Sequence, residues 1–423
     1  MKNIIFGIML FGMSFLNAQN HNIGIVGNEN WMQNWTNFKP KTTIYRESDI
    51  ILSGKIVSNM LLEKKHTYTI IGSVYLIDNA ILTIEPGTVI RGDYATDGTL
   101  IVTKGARIIA EGTEVDPIIF TSSKGVLDRN SGDWGGIIIL GDAPINKFGG
   151  RSTLDFNLDS RYAVYGGNNI DSDSGILKFV RIEFSGRKIN STKELNGLSL
   201  AGVGLKTKLE NIQISFSNDD SFECYGGNVE MSRLISFKAT DDDFDFTQGV
   251  QANISNSVAI RYPFYSDISK SRCFEIDSFD KVENTDFTKK MTVVNATNMT
   301  FLNIEDNNQG LIKEAIYLKE QSFLNFSNSL ISGFASAVWF DLNSENKLDY
   351  LHKLHFKNLI FNNCKNNFNA ENMDDSFEAQ NFLDVQNAGI SISTKALNDL
   401  IIGIDFKKNV DLRKINIEVI TTR

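Results

Sequence analysis

The chain is poor in the residues that staple, break or titrate a fold: 423 residues contain three cysteines, five prolines and four histidines. Cys224, Cys273 and Cys364 are too few for a disulfide scaffold. The register derived below sets Cys224 and Cys273 two coils apart, beyond disulfide reach, so buried free thiols are expected. The histidines (His21, His66, His352, His355) are scattered, which leaves no Ser/His/Asp or Cys/His set to assemble. After its first residues the chain has no apolar run approaching the ~20 residues a membrane-crossing helix needs. Positive charge is also in deficit. A net charge of −9 and a pI near 5.2 disfavour nucleic acid and anionic membrane surfaces as partners. An anionic polysaccharide would need a metal or a local basic loop to be held.

Glycine (32) and phenylalanine (29) are plentiful, and 42% hydrophobic with 22% charged residues marks a folded chain. The length exceeds one ordinary compact core but suits a repeat domain, which grows coil by coil. Residues 1–18 read as a secretory signal peptide: Lys2 gives the charged start, Ile4 to Leu16 the apolar stretch, and Ala18 the small residue for cleavage. No cysteine follows to carry a lipid. The expected location is therefore extracellular, at the cell surface, or periplasmic.

Internal repetition carries the fold. Gly87 and Gly105, like Ile90 and Ile108, stand 18 residues apart within similar alternating stretches. Further on, Ile214-Ser215-Phe216 returns as Ile235-Ser236-Phe237 and again as Val258-Ala259-Ile260. Each is followed by a turn and a second short run: Phe222-Glu223-Cys224, Phe244-Asp245-Phe246, Phe274-Glu275-Ile276. Apolar–polar alternation means strands with one inward face. Similar strands every ~20 residues mean a solenoid, and parallel crossovers are overwhelmingly right-handed. The reading is all-β: a right-handed parallel β-helix over residues 71–370, with an N-terminal cap over 19–70 and C-terminal cap strands over 371–423. Asparagines beside the apolar pairs are expected to form amide ladders between coils. Phe148 to Gly175 reads as a long acidic loop that interrupts the coils.

Trp31 to Pro40, Leu82 to Asp93, Gly132-Asp133-Trp134-Gly135-Gly136-Ile137, Tyr165-Gly166-Gly167-Asn168, Asp219-Asp220-Ser221-Phe222-Glu223 and Asp241-Asp242-Asp243-Phe244-Asp245 span most of the mature chain. In these segments it resembles a family of secreted parallel β-helix proteins common in Bacteroidota envelopes. The resemblance implies fold and export but no chemistry, since the family has no established activity. Many members carry a C-terminal sorting domain, which the ending Ile415 to Arg423 does not clearly show.

The aligned rows predict an outward column of Glu223, Asp245 and Glu275, preceded by turns bearing Asp219, Asp220, Asp242 and Asp243. Carboxylates repeated every ~4.8 Å repel unless solvated, protonated or bridged by a cation. Calcium takes oxygen ligands of this kind, and Asp219, Asp220, Asp242 and Asp243 are its candidate ligands. Asp171-Ser172-Asp173-Ser174-Gly175 opens like a calcium loop but has Ile182 where the closing glutamate belongs. The stretch between Ile260 and Phe274 is an inserted loop expected to project beside the acidic column, bringing Arg261, Tyr262, Phe264, Tyr265, Lys270 and Arg272. With Glu223, Asp245 and Glu275, the residues Tyr262, Tyr265 and Arg272 form the candidate ligand face, because rings beside carboxylates suit sugar faces and hydroxyls.

Three functions compete. The preferred one is a non-catalytic carbohydrate-binding or adhesion module whose partner is a polysaccharide or another envelope component. The second is a polysaccharide lyase or glycoside hydrolase with Asp220, Asp242, Asp243 and Arg261 as catalytic candidates. It lacks a histidine near the acidic turns, and a lyase would have only Arg261 or Arg272 as base. The third is a structural stalk.

Overall fold

The computed structural model describes residues 23–415 except 192, 267–270, 306–311, 320, 342–349, 352, 371–388 and 409. The expected signal peptide, Lys270 and much of the expected C-terminal cap lie outside the described residues. Period-2 burial runs through the strands, as in Phe222–Phe237, and 25 of them join in one ladder. The pairings within that ladder are parallel, each strand lying on the one a coil earlier. The chain is thus a parallel β-helix, and parallel pairing already begins at Ile50, which lies on Tyr68.

Three walls make up each coil, and the strand Phe222–Phe237 passes through all of them. Residues 222–225 belong to the first wall, beside 198–201 and 244–247. Residues 228–232 belong to the second, beside 251–255. Residues 235–237 belong to the third, beside 258–260. At the corner between the second and third walls the backbone turns through the left-handed region at Asn211, Asn256, Asn298, Asn328 and Asn358, with φ between 51° and 57°. Asparagine tolerates this conformation better than other residues with a Cβ. Stacked coils put these amides in line, and Asn358 Nδ2 donates to Asn328 Oδ1 at 3.1 Å.

Inward side chains stack in register. Phe222 lies on Phe244 with ring centroids 5.0 Å apart and planes 8° from parallel, and Phe244 meets Phe274 edge-on at 5.6 Å. Outward side chains of the third wall are also apolar, which a solvated wall could not sustain. Phe184, Phe216, Ile235, Phe237, Val258, Ile260, Leu302 and Leu330 are covered by Ile25, Met32 and Trp35 from the N-terminal segment and by Leu400 and Leu412 from the C-terminal one. Residues 23–45 form a strap running back along this wall. Gly24 N donates to Asn328 O at 2.8 Å, Val26 N to Asn256 Oδ1 at 2.7 Å, and Asn37 N to Gln213 Oε1 at 2.7 Å. Near the strap's other end, Arg129 Nη1 donates to Pro40 O at 3.0 Å and Thr43 O at 2.8 Å. An antiparallel hairpin, Ile401–Gly403 with Asp411–Lys414, holds the strap from outside: Asn30 Nδ2 donates to Val410 O at 2.6 Å, and Arg413 Nη1 to Gly27 O and Asn28 O at 3.0 Å.

The cysteines are free; Cys224 and Cys273 are buried, while Cys364 is only half-buried. Replacing Phe244, which is fully buried between two rings, with alanine leaves a cavity in the pile. The Phe244→Ala variant is expected to lose about 3–5 kcal/mol of stability, read from denaturant midpoints. An unchanged midpoint would show that the three rings do not form one interior stack.

Candidate functional site

The first wall carries the acidic column in the register its sequence predicts: Glu223 lies opposite Asp245, and Asp245 opposite Glu275. A parallel ladder forces this, because residues paired through the backbone must project their side chains together. The neighbouring outward column places Tyr225 beside Thr247. Asp277 follows two residues after Glu275, and Lys319 ion-pairs Asp277 at 3.2 Å and also Glu275.

On the N-terminal side the same wall is apolar outside, with Ile101, Ile138, Leu140 and Ala201, and Ile145 packs over it together with Leu154 and Tyr165 of the long loop. Residues 152–156 of that loop stand beside the carboxylates as one bank of a groove. Lys147 is ion-paired to Asp280, Lys193 to Asp155, and Phe156 meets Tyr225 edge-on at 6.2 Å. The groove encloses about 510 Å³ and is lined by ten acidic residues against three lysines. All three lysines are already paired within it, so an unbalanced negative field remains.

Protonation states differ along the floor. Glu223 is pushed up to about 7, chiefly by burial; the Tyr225 hydroxyl and Asn196 amide, both donating to its Oε2, act the other way. Burial also holds Asp220 well above the ordinary carboxyl range, reinforced by Asp219 and Glu223. Asp245 is raised likewise by burial, then by its neighbours Glu223 and Glu275. Glu275 goes the other way: burial acts upward, but the charges of Lys319 and Arg272 outweigh it and hold the carboxyl below its usual value.

Several candidates are placed elsewhere. Asp220 is buried and lines the groove, yet its Oδ1 accepts the Asp242 N–H at 2.9 Å. Asp242 in turn accepts the Arg272 N–H, so these two turn carboxylates tie successive coils together. Asp243 and Arg261 are fully buried and paired at 3.1 Å; Arg261 also donates to the carbonyls of Asp241, Ala239 and Arg272. They brace the corner between the third and first walls, and neither reaches the groove. Arg272 is spent on Glu275 and on Glu314 at 3.0 Å while lying over the Tyr317 ring. Neither arginine is therefore available as a base. Tyr262 and Tyr265 do not flank the acidic column. They leave from the third wall and pack with Phe216 and Phe237 around Lys238, whose Nζ sits 3.9 Å from the Tyr262 ring centroid and 4.8 Å from that of Tyr265. Phe264 is exposed. The aromatic rings the groove presents are instead Phe156 and Tyr225, with Tyr165 buried behind them.

Carboxylate oxygens of Asp220, Glu223 and Asp245 lie within 4.8 Å of one another, as do those of Asp219, Asp220 and Asp241, and of Asp242, Asp245 and Glu275. Asp245 Oδ1 is buried without a hydrogen-bond partner. An orphaned oxygen among hard donors fits a calcium ion better than it fits a closed structural network. The first triad is the better match, because Glu275 in the third is already neutralised by Lys319 and Arg272. Asp243 is excluded from any such set by its own pairing.

Linkage gives the sign of the pH effect. A carboxyl that binds its proton more tightly folded than unfolded loses stability as pH rises from the unfolded value, here 4.5, through the folded one, about 7. In metal-free buffer the thermal midpoint is therefore expected to be lower at about pH 8 than at about pH 5, and Glu223→Gln should flatten the slope. A midpoint that climbs across that interval would contradict the assignment.

Residues 54–398 match the family described as a pectate-lyase like beta helix domain. Among solved structures the chain is similar to the Agl-KA catalytic domain, at 8% identity and a TM-score of 0.26, over 81% of this chain and 61% of that one. The chain thus spans less than two thirds of that structure's length, and the fold assignment rests on strand register and the family match. No curated protein matches the sequence. With the match covering most of its length and the parallel coils in place, the chain belongs to the pectate-lyase-like β-helix family.

Proposed function

We propose that this chain is an exported, extracellular or surface-displayed protein whose first wall binds a carbohydrate chain or another envelope component without turning it over. One observation carries the reading: an open groove of about 510 Å³, with carboxylates along its floor and the half-buried rings of Phe156 and Tyr225 beside them. Rings take up the apolar face of a sugar, and fixed oxygen acceptors take its hydroxyls. Membership of a family named for a polysaccharide-cleaving enzyme supports a glycan ligand. Calcium would be held by Asp220, Glu223 and Asp245, relieving their mutual repulsion and offering a sugar oxygen a hard partner. Export rests on residues 1–18. No helix among the described residues is long and apolar enough to cross a membrane.

A second reading, glycoside hydrolysis, is favoured by one specific feature. Glu223 is raised to about 7 while Glu275, two coils along the same column, is held low. A proton donor and an ionised partner on one face are what acid–base cleavage of a glycosidic bond requires.

A glycan array with and without calcium tests the binding reading. Retention is expected for some glycan, strengthened by calcium, and Asp220→Asn or Glu223→Gln should weaken it about tenfold. New reducing ends from a polysaccharide, abolished by Glu223→Gln, would replace binding with hydrolysis. No retention under either condition would leave a structural stalk.

A further inference from the structure

The second wall bears a larger concavity than the acidic groove, about 640 Å³, and it faces a different way. Its floor comes from the outward residues of successive coils. Asn253, Asn295 and Asn325 stand in one column, and Ser255, Thr297 and Ser327 in the column beside it. Asn325 Nδ2 donates to Asn295 Oδ1 at 2.6 Å, and Asn295 Nδ2 to Asn253 Oδ1 at 2.9 Å; Ser327 Oγ donates to Thr297 Oγ1 at 3.1 Å. A primary amide has two donor hydrogens and two acceptor lone pairs. The ladder engages one of each at Asn295, which leaves that amide a donor and an acceptor for an external partner. Asn253 and Asn295 are exposed.

Charge enters this concavity only at its N-terminal end, where Lys208, Glu210 and Glu230 line it and Glu210 is ion-paired to Lys178 and Arg233. The coil before brings Glu230 opposite Asn253, and the coil after brings His355 opposite Asn325 and Lys357 opposite Ser327. The three coils between offer amides and hydroxyls in these two columns, repeated every ~4.8 Å, beside a third column of Gln251, Val293 and Phe323. A nucleic acid would find no row of cations there. Within the asparagine and hydroxyl columns a protein partner would find none of the aromatic or arginine anchors that interface cores favour, and the half-buried ring of Phe323 lies outside the concavity. What matches a neutral, regularly spaced array of paired donors and acceptors is a neutral polymer dense in hydroxyls. We infer that the second wall is a separate binding surface for an uncharged polysaccharide lying along the axis of the helix. The inference is independent of the acidic groove, which occupies another wall.

Co-sedimentation with insoluble neutral glucans, one α-linked and one β-linked, tests it. The wild-type chain is expected to be retained equally in low and high salt, because no charge pair is involved. Asn253→Ala with Asn295→Ala should weaken retention at least about tenfold, while Asp220→Asn on the other wall leaves it unchanged. Thr297→Glu, an outward substitution that spares the Asn253–Asn295–Asn325 amides, gives a second arm should the double variant unfold, and should weaken retention likewise. Wild-type protein that no neutral glucan retains, retention untouched by both second-wall variants, loss on Asp220→Asn, or shaping of ice crystals without glucan retention would each overturn the inference.

Discussion

Parallel stacking in register is the constraint on which everything else in this protein depends. Each coil must set its backbone groups against those of the coil before, so chemically similar residues fall into columns one rung apart. Inside, this is favourable: Phe222, Phe244 and Phe274 fill the lumen as a continuous pile. Outside, the same rule brings Glu223, Asp245 and Glu275 together. Aligned rings attract; aligned carboxylates repel. The first wall answers that repulsion by two routes at once, raising the proton affinity of Asp220, Glu223 and Asp245 and pairing Glu275 with Lys319 and Arg272, while one oxygen of Asp245 stays without a hydrogen-bond partner.

The three walls meet solvent in three ways. The first is acidic and partly roofed by the loop that contains Phe156. The second is open, with amide and hydroxyl columns over three of its coils and charged residues at either end. The third is apolar and closed by chain segments from both ends of the sequence. A coil has only three outward surfaces, so committing one to the strap leaves two on which ligands can be received. The burial of Arg261 against Asp243 belongs to the corner between the closed wall and the acidic one, where a fully enclosed ion pair keeps the turn geometry that aims Asp220 and Asp241 at the groove.

How much of this was legible in the sequence follows from what a repeat encodes. Alternation with a period of two fixes which residues share a face, so the inner phenylalanines and the outer carboxylates match across coils from the sequence alone. The same alternation pointed to Tyr225 and Asp277, two residues past Glu223 and Glu275, although neither was singled out. Lys319 was harder to find, because the coil that supplies it is lengthened by residues between Asn303 and Glu314 and drops out of the simple repeat. The loop after Ile260 was misplaced for a different reason. Matching rows gives the register within a wall but not the corner from which an insertion leaves, and Tyr262 and Tyr265 leave on the far side, toward Phe216 and Phe237. Nor does any local pattern in residues 23–45 announce partners as distant as Asn328 and Val410.

That last arrangement bears on the order in which the molecule can be completed. The strap precedes its partners along the chain: its anchor at Asn328 lies hundreds of residues later and its outer clasp, Val410 and Arg413, later still. Contacts of such sequence separation carry a large loop-closure penalty until the intervening chain is ordered. The coils must therefore be wound before the strap can be laid down, and until then a stripe of phenylalanine, isoleucine and leucine stays open to water. A truncated chain, however well its early rungs had stacked, would keep that stripe uncovered and remain adhesive toward other unfinished copies.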